Sequence, residues 1–345
     1  MIPSFPAWTS NLNPRSPRSK IEARIMTTPN TAQAPVVFEG RGPRISLGYN
    51  PTVDYIRFLA ALVIVQFHAR APLNVIGQGA VGFFILAMIW FTLNGLQRRK
   101  EPVGAAIAMR GRRLLYPFLI WGVLQILAKV AQSVMTGGSL IEELQAWHPP
   151  VGSFGQLWFL PWALAVSAVL ILLAQKTTFQ ISSWRPLLFW LVLFALATIA
   201  CLEVWSWQEL PLILRLSVLY LPSVGVGMLL FAVRNSGWIL IFVTAIICLF
   251  GLVLRAAGMD GTQQLILAPP IMVLSLMVRT PEFGWTRKLG QLSMDIYLVH
   301  ILMLSVAGAI LGIATHTFAG GIMICLLSLG AALVMQLPQI GKWLR

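Results

Sequence analysis

The chain has 345 residues, of which 57% are hydrophobic and only 10% charged, with a mean hydropathy of +0.79. That balance excludes a water-soluble globular enzyme and predicts an all-α, polytopic membrane bundle. The formal charge of +14 does not indicate a nucleic-acid binder, because the cations are not gathered in any soluble basic domain.

Residues 1–48 are rich in Pro, Ser, Thr and Arg and lack sustained apolar periodicity, so they read as a disordered basic tail. They hold no apolar core of signal-peptide type, and either Met1 or Met26 fits as the start of translation. Residues 49–340 read as one membrane domain. Within it, runs long enough to cross the bilayer lie near residues 52–73, 79–97, 114–135, 157–174, 186–204, 211–232, 237–255, 264–280, 289–312 and 318–338, which makes about ten helices.

Lys and Arg mark the cytoplasmic loops of membrane proteins. They occur in the tail, in the second connection (Arg98, Arg99, Lys100, Arg110, Arg112, Arg113), in the later even connections and at the C-terminus. The odd connections carry Glu142, Glu143, Glu203, Glu209 and Asp260 with almost no positive charge. Both termini are therefore expected in the cytoplasm, and this topology accounts for most of the positive charge.

The first helix holds Asp54, Arg57 and His68. Eleven residues make roughly three turns plus 20° and advance about 16 Å, so Arg57 and His68 point the same way. Ionisable residues inside a membrane are costly and normally face a bundle interior or a water-filled path. Two readings are open for Arg57: a functional group on that face, or a side chain paired with Asp54 three residues earlier that snorkels to the interface. His68 and His300 are each either reactive groups or interhelical hydrogen-bond partners. Cys201, Cys248 and Cys325 lie in apolar runs and read as small hydrophobes, and no metal site is expected.

These residues resemble a family. Asp54-x-x-Arg57-x10-His68 is similar to the first-helix signature of the acyltransferase-3 family of integral membrane acyltransferases. Further segments follow in family order. Asn94-Gly95 stands where Ser-Gly is usual, and Arg110-Gly-Arg-Arg113-Leu-Leu-Tyr-Pro117 is similar to an Arg-x-x-Arg motif before a proline. Leu157-Trp-Phe-Leu160, Gly225-Val-Gly-Met228 and Gly290-Gln-Leu-Ser293-Met-Asp-Ile-Tyr297-Leu-Val-His300 complete the set.

The resemblance implies a membrane acyltransferase domain over 49–340 that O-acylates a polysaccharide or a lipid-linked sugar in the inner (plasma) membrane of a bacterium. It implies acetyl-CoA as co-substrate, with no bound cofactor. The catalytic candidates are His68, Arg57, Asp54 and His300. Acyl transfer to a hydroxyl needs a base, and His68, with an ordinary pKa near ~6.5, suits that task as base or as acyl carrier. Arg110, Arg113, Arg112 and Arg98 are the candidates for the CoA phosphates, because guanidinium groups offer paired rigid donors. The competing account of those arginines is the topology signal itself. Trp158, Tyr297 and Glu142 are the acceptor-binding candidates, with an interfacial aromatic belt the alternative for Trp158 and plain solvation for Glu142. The expected partners are acyl-CoA, a glycan or lipid-linked sugar, and membrane lipids.

A secondary transporter or flippase using Arg57, His68 and His300 as a relay is the alternative from another class. It is disfavoured because the sequence shows no internal repeat and, apart from Asp295 near a helix end, no acidic residue deep in the helices.

Overall fold

The computed structural model describes residues 49–98, 102–137, 139, 155–176 and 179–337. The basic tail, the Arg99–Lys100 pair and the segment carrying Glu142, Glu143, Trp147 and His148 lie outside the described residues.

The described residues are helical, with no strand among them. In chain order the helices are α1 (Pro51–His68), α2 (Gly77–Arg98), α3 (Val103–Thr136), α4 (Phe159–Ala174), α5 (Trp184–Ser206), α6 (Leu212–Leu219), α7 (Leu221–Ala232), α8 (Gly237–Ala256), α9 (Gln263–Met277), α10 (Thr286–Ala309) and α11 (Phe318–Met335). Short 3₁₀ turns, Pro72–Ile76 and Gly155–Trp158, lead into α2 and α4. Six stretches are long and apolar enough to cross a membrane: Pro72–Arg98, Trp184–Ser206, Leu212–Ala232, Gly237–Ala256, Thr286–Gly308 and Phe318–Met335. The helices Phe159–Ala174 and Gln263–Met277 are apolar but shorter.

Entry into α1 is tightly specified. Pro51 occupies its first turn, and the Asn50 side chain accepts from the Thr52 N–H at 3.0 Å. The Asn50 amide nitrogen also donates to the Ser275 carbonyl at 2.8 Å and the Val278 carbonyl at 3.2 Å, while the Thr52 hydroxyl donates to the Val278 carbonyl at 2.8 Å. One side chain thus caps the start of α1 and satisfies carbonyls at the end of α9, groups that a helix by itself leaves unpaired.

Helix α1 packs along α10, and small residues allow the approach. A Cβ at Gly290 of α10 would overlap the Asp54 carboxylate. Two prolines stand inside α9, Pro269 and Pro270. Pro270 has no N–H to offer the Ile266 carbonyl, and the Cys248 thiol of α8 lies 3.5 Å from that oxygen as a replacement donor.

Helix α1 ends at His68 with the chain turning through Arg70 at φ 55°, a left-handed conformation that side chains other than glycine seldom adopt. Ala71 N–H bonds back to the Gln66 carbonyl at 3.1 Å, closing the cap. His68 therefore sits on the last helical turn, held by both the helix and its cap.

Candidate active site

Helices α1, α2, α3 and α4, with Met294 of α10, enclose a cavity of about 520 Å³. Its polar lining includes Asp54 and Arg57 from α1, Thr92 from α2, and Arg110 and Arg113 from α3, with Tyr49 and Asn50 beside them. The formal charge of the ionised side chains is +2, three arginines less one aspartate.

The Asp54 carboxylate organises the α1 side. Its Oδ1 accepts from Arg57 Nη1 at 3.3 Å, and its Oδ2 accepts from the Tyr49 hydroxyl at 3.0 Å. Tyr49 is itself covered by the Arg287 guanidinium, 4.7 Å from its ring centre. The two readings of Arg57 merge in this arrangement: it pairs with Asp54 and also lines the cavity. On the α3 side, Arg110 Nη2 donates to Thr92 Oγ1 at 2.7 Å, and that hydroxyl donates to the Met88 carbonyl at 2.6 Å.

Arg110 and Arg113 share one helical face because residues three apart lie close in angle. Arg112 and Arg98 are exposed and are not among the cavity-lining residues. Of the arginines expected to meet an anion, two are brought to the cavity and two are not.

His68 and His300 come together, from α1 and α10, with ring centroids 5.0 Å apart and planes tilted by 40°. His300 is 1% exposed. Its Nδ1 lies 2.7 Å from the Tyr297 carbonyl, one turn back on the same helix. A carbonyl only accepts, so Nδ1 carries the proton there and Nε2 is left as the acceptor. Nε2 is buried and has no hydrogen-bond partner among the described residues.

The histidines do not line the cavity. Phe159, which does, meets Tyr297 edge to face at 5.9 Å, and Tyr297 in turn lies 5.9 Å from His300. Tyr297 therefore links a cavity-lining ring to the histidine pair by ring contact. Trp158 is 7% exposed, stacked on Tyr220 at 5.8 Å and in contact with Phe159 and Trp162. Glu142 lies outside the described residues.

Asp295 is buried well inside α10, not near its end, nine residues or about 14 Å past Thr286. It accepts from the Gln336 side-chain amide. Helix α10 begins at Thr286, three residues before the expected start at 289, which places Asp295 deeper in the helix.

Sequence reasoning did not single out Tyr49 or Thr92. Neither carries a local signal: Tyr49 precedes the first helix, and Thr92 is one hydroxyl in an apolar run.

A family model described as an acyltransferase domain matches residues 50–337. The chain belongs to the acyltransferase-3 family. No curated protein and no solved structure matches it. The membership makes this chain a membrane acyltransferase. The match covers every group of the cavity except Tyr49, and it covers both histidines.

Proposed function

We propose that this acyltransferase moves an acetyl group from cytoplasmic acetyl-CoA to a hydroxyl of a cell-surface or exported polysaccharide, or of its lipid-linked precursor, in the inner membrane of a bacterium. The observation that carries this reading is a cavity with surplus positive charge at Arg57, Arg110 and Arg113, followed on the Arg57 face of α1 by His68, which pairs with His300 of α10.

The Lys and Arg distribution supports a cytoplasmic position for the cavity mouth, a bundle of about ten crossings and cytoplasmic termini. The CoA phosphates rest against Arg110 and Arg113, whose planar guanidinium groups match phosphate oxygens. Asp54 holds Arg57 at the wall of the same cavity. The thin thiol-bearing arm of CoA runs inward past Phe159 and Tyr297 toward His68, about 16 Å deeper than Arg57.

In the transfer, the acceptor oxygen attacks the thioester carbonyl carbon and its proton passes to a histidine nitrogen. The C–O bond forms, the C–S bond breaks, and the departing thiolate takes up the proton. His68 serves as the base of this step, or first accepts the acyl group itself and hands it on.

The test is transfer of radiolabel from acetyl-CoA to extracted surface glycan in membranes holding wild-type protein or His68→Ala at equal levels. Label with wild type and none with the variant is the expected result. Equal label with both removes the role from His68, and no label with either overturns the acetyl-CoA and glycan assignment.

A further inference from the structure

A second cavity of about 520 Å³ lies between α5 and α7, away from the arginines. On α5 its lining recurs at Trp190, Phe194, Ala197 and Cys201, and on α7 at Leu221, Gly225, Met228 and Ala232. Both sets follow the spacing that keeps side chains on one helical face. The two stripes meet at the floor, where a Cβ on Gly225 would lie 2.9 Å from the Phe194 ring. The Ile181 N–H bonds to the Ala232 carbonyl at 3.1 Å, so the start of α5 lies beside the end of α7 and the stripes run in opposite directions.

The lining at that end is rigidly held. Phe179 has φ 43°, a left-handed conformation costly for a side chain of its size, and its carbonyl accepts from Arg234 Nη1 at 3.2 Å. The cavity is a groove open to the outside of the bundle: Trp190 and Leu193, which line it, are 47% and 45% exposed. Helix α5 is long and apolar enough to cross a membrane, so this exposed face meets hydrocarbon.

We propose that the groove holds one hydrocarbon chain of a phospholipid with an anionic headgroup, the headgroup lying by Lys176 and Arg185. Length selects the chain. Trp190 to Cys201 is eleven residues, about 16 Å of helix, which is half of a ~30 Å hydrocarbon core and so the depth of one leaflet. A chain much longer than one leaflet protrudes past Cys201. Charge selects the headgroup, because the connection between α4 and α5 carries Lys176 and Arg185, both exposed, on either side of the groove-lining Gln180. Cations near a bilayer surface attract anionic lipids. Thr198 also lines the groove, and its buried Oγ1 has no hydrogen-bond partner among the described residues. A hydrocarbon chain offers it none, so this hydroxyl contributes nothing to holding the lipid.

The test reads lipid retention by the full chain and involves no acyl transfer. The protein in mild detergent is titrated with phosphatidylglycerol or phosphatidylcholine of equal chain length, and bound lipid is counted by native mass spectrometry. Wild type should retain one phosphatidylglycerol about tenfold more strongly than phosphatidylcholine, a preference of the size that two surface cations confer. Lys176→Gln together with Arg185→Gln should erase that preference. Ala197→Trp puts a ring in the middle of the groove and should weaken retention by about tenfold, with Ala197→Leu as the milder variant if the first fails to accumulate. Thr198→Val should leave retention unchanged or raised. Equal retention by wild type and both Ala197 variants overturns the site, and equal retention of the two lipids by wild type overturns the headgroup assignment. Weaker retention with Thr198→Val overturns the plain hydrocarbon occupant in favour of a ligand with a polar group at that depth. A wild-type dimer that Ala197→Trp dissociates gives the groove to a second copy of the chain instead.

Discussion

His300 donates its Nδ1 proton to the Tyr297 carbonyl at 2.7 Å and so turns a bare acceptor nitrogen, Nε2, into the interior beside His68. The backbone of α10 sets the tautomer, and no side chain is needed to hold it.

That relationship separates two substitutions of His300. Gln places an amide near the Nε2 position, whereas Asn places one near Nδ1 and leaves the ε position empty. His300→Gln should retain more transfer activity than His300→Asn, measured as label per folded protein. The reverse order would mean that the Tyr297 contact matters and Nε2 does not.

His68→Ala should lower the transfer rate by about a hundred- to ten-thousandfold, the usual worth of a positioned acid–base group. The acetyl-CoA KM should change little, because His68 is not among the residues lining the arginine cavity. A large rise in that KM with kcat preserved would instead make His68 a binding group.

The arginines divide by position. Arg110→Ala and Arg113→Ala should raise the acetyl-CoA KM by about ten- to a hundredfold each, as expected for lost hydrogen bonds between charged groups. Arg98→Ala and Arg112→Ala should leave it unchanged, since neither residue is among those lining the cavity. Equal effects from all four would show that bulk positive charge, not the cavity, attracts the donor.

Gly290→Ala should destabilise the protein by about 1 to 3 kcal/mol through overpacking, because the added carbon meets the Asp54 carboxylate. Thermal unfolding in detergent reads this directly. A melting temperature equal to wild type would show that α1 and α10 separate without penalty.

Partial burial and the hydrogen bond to Asp54 push the Tyr49 phenol up to about 12. A raised folded value favours the neutral phenol, so its contribution to stability is complete below the ordinary tyrosine pKa of about 10 and is lost as pH rises toward 12. The ultraviolet difference titration between wild type and Tyr49→Phe should therefore have its midpoint near 12 and not near 10. A midpoint at the ordinary value would show that Tyr49 does not hold Asp54 in solution.

The sequence by itself determined the helical membrane class, the family and the shared face of Arg57 and His68. Apolar runs of bilayer length and an eleven-residue spacing are local properties, and helix geometry translates them directly into structure. The Arg110–Arg113 face was legible for the same reason. Which arginines reach the cavity was not, because Arg98 and Arg112 have the same chemistry and differ only in where their helices turn them. Asp295 looked close to a helix end because only the packed structure sets where α10 begins. The pairing of His68 with His300 and the facing stripes of α5 and α7 were decided by tertiary structure alone. These depend on how the helices approach and rotate against one another, and close packing between distant helices leaves no mark on the local pattern of any one of them.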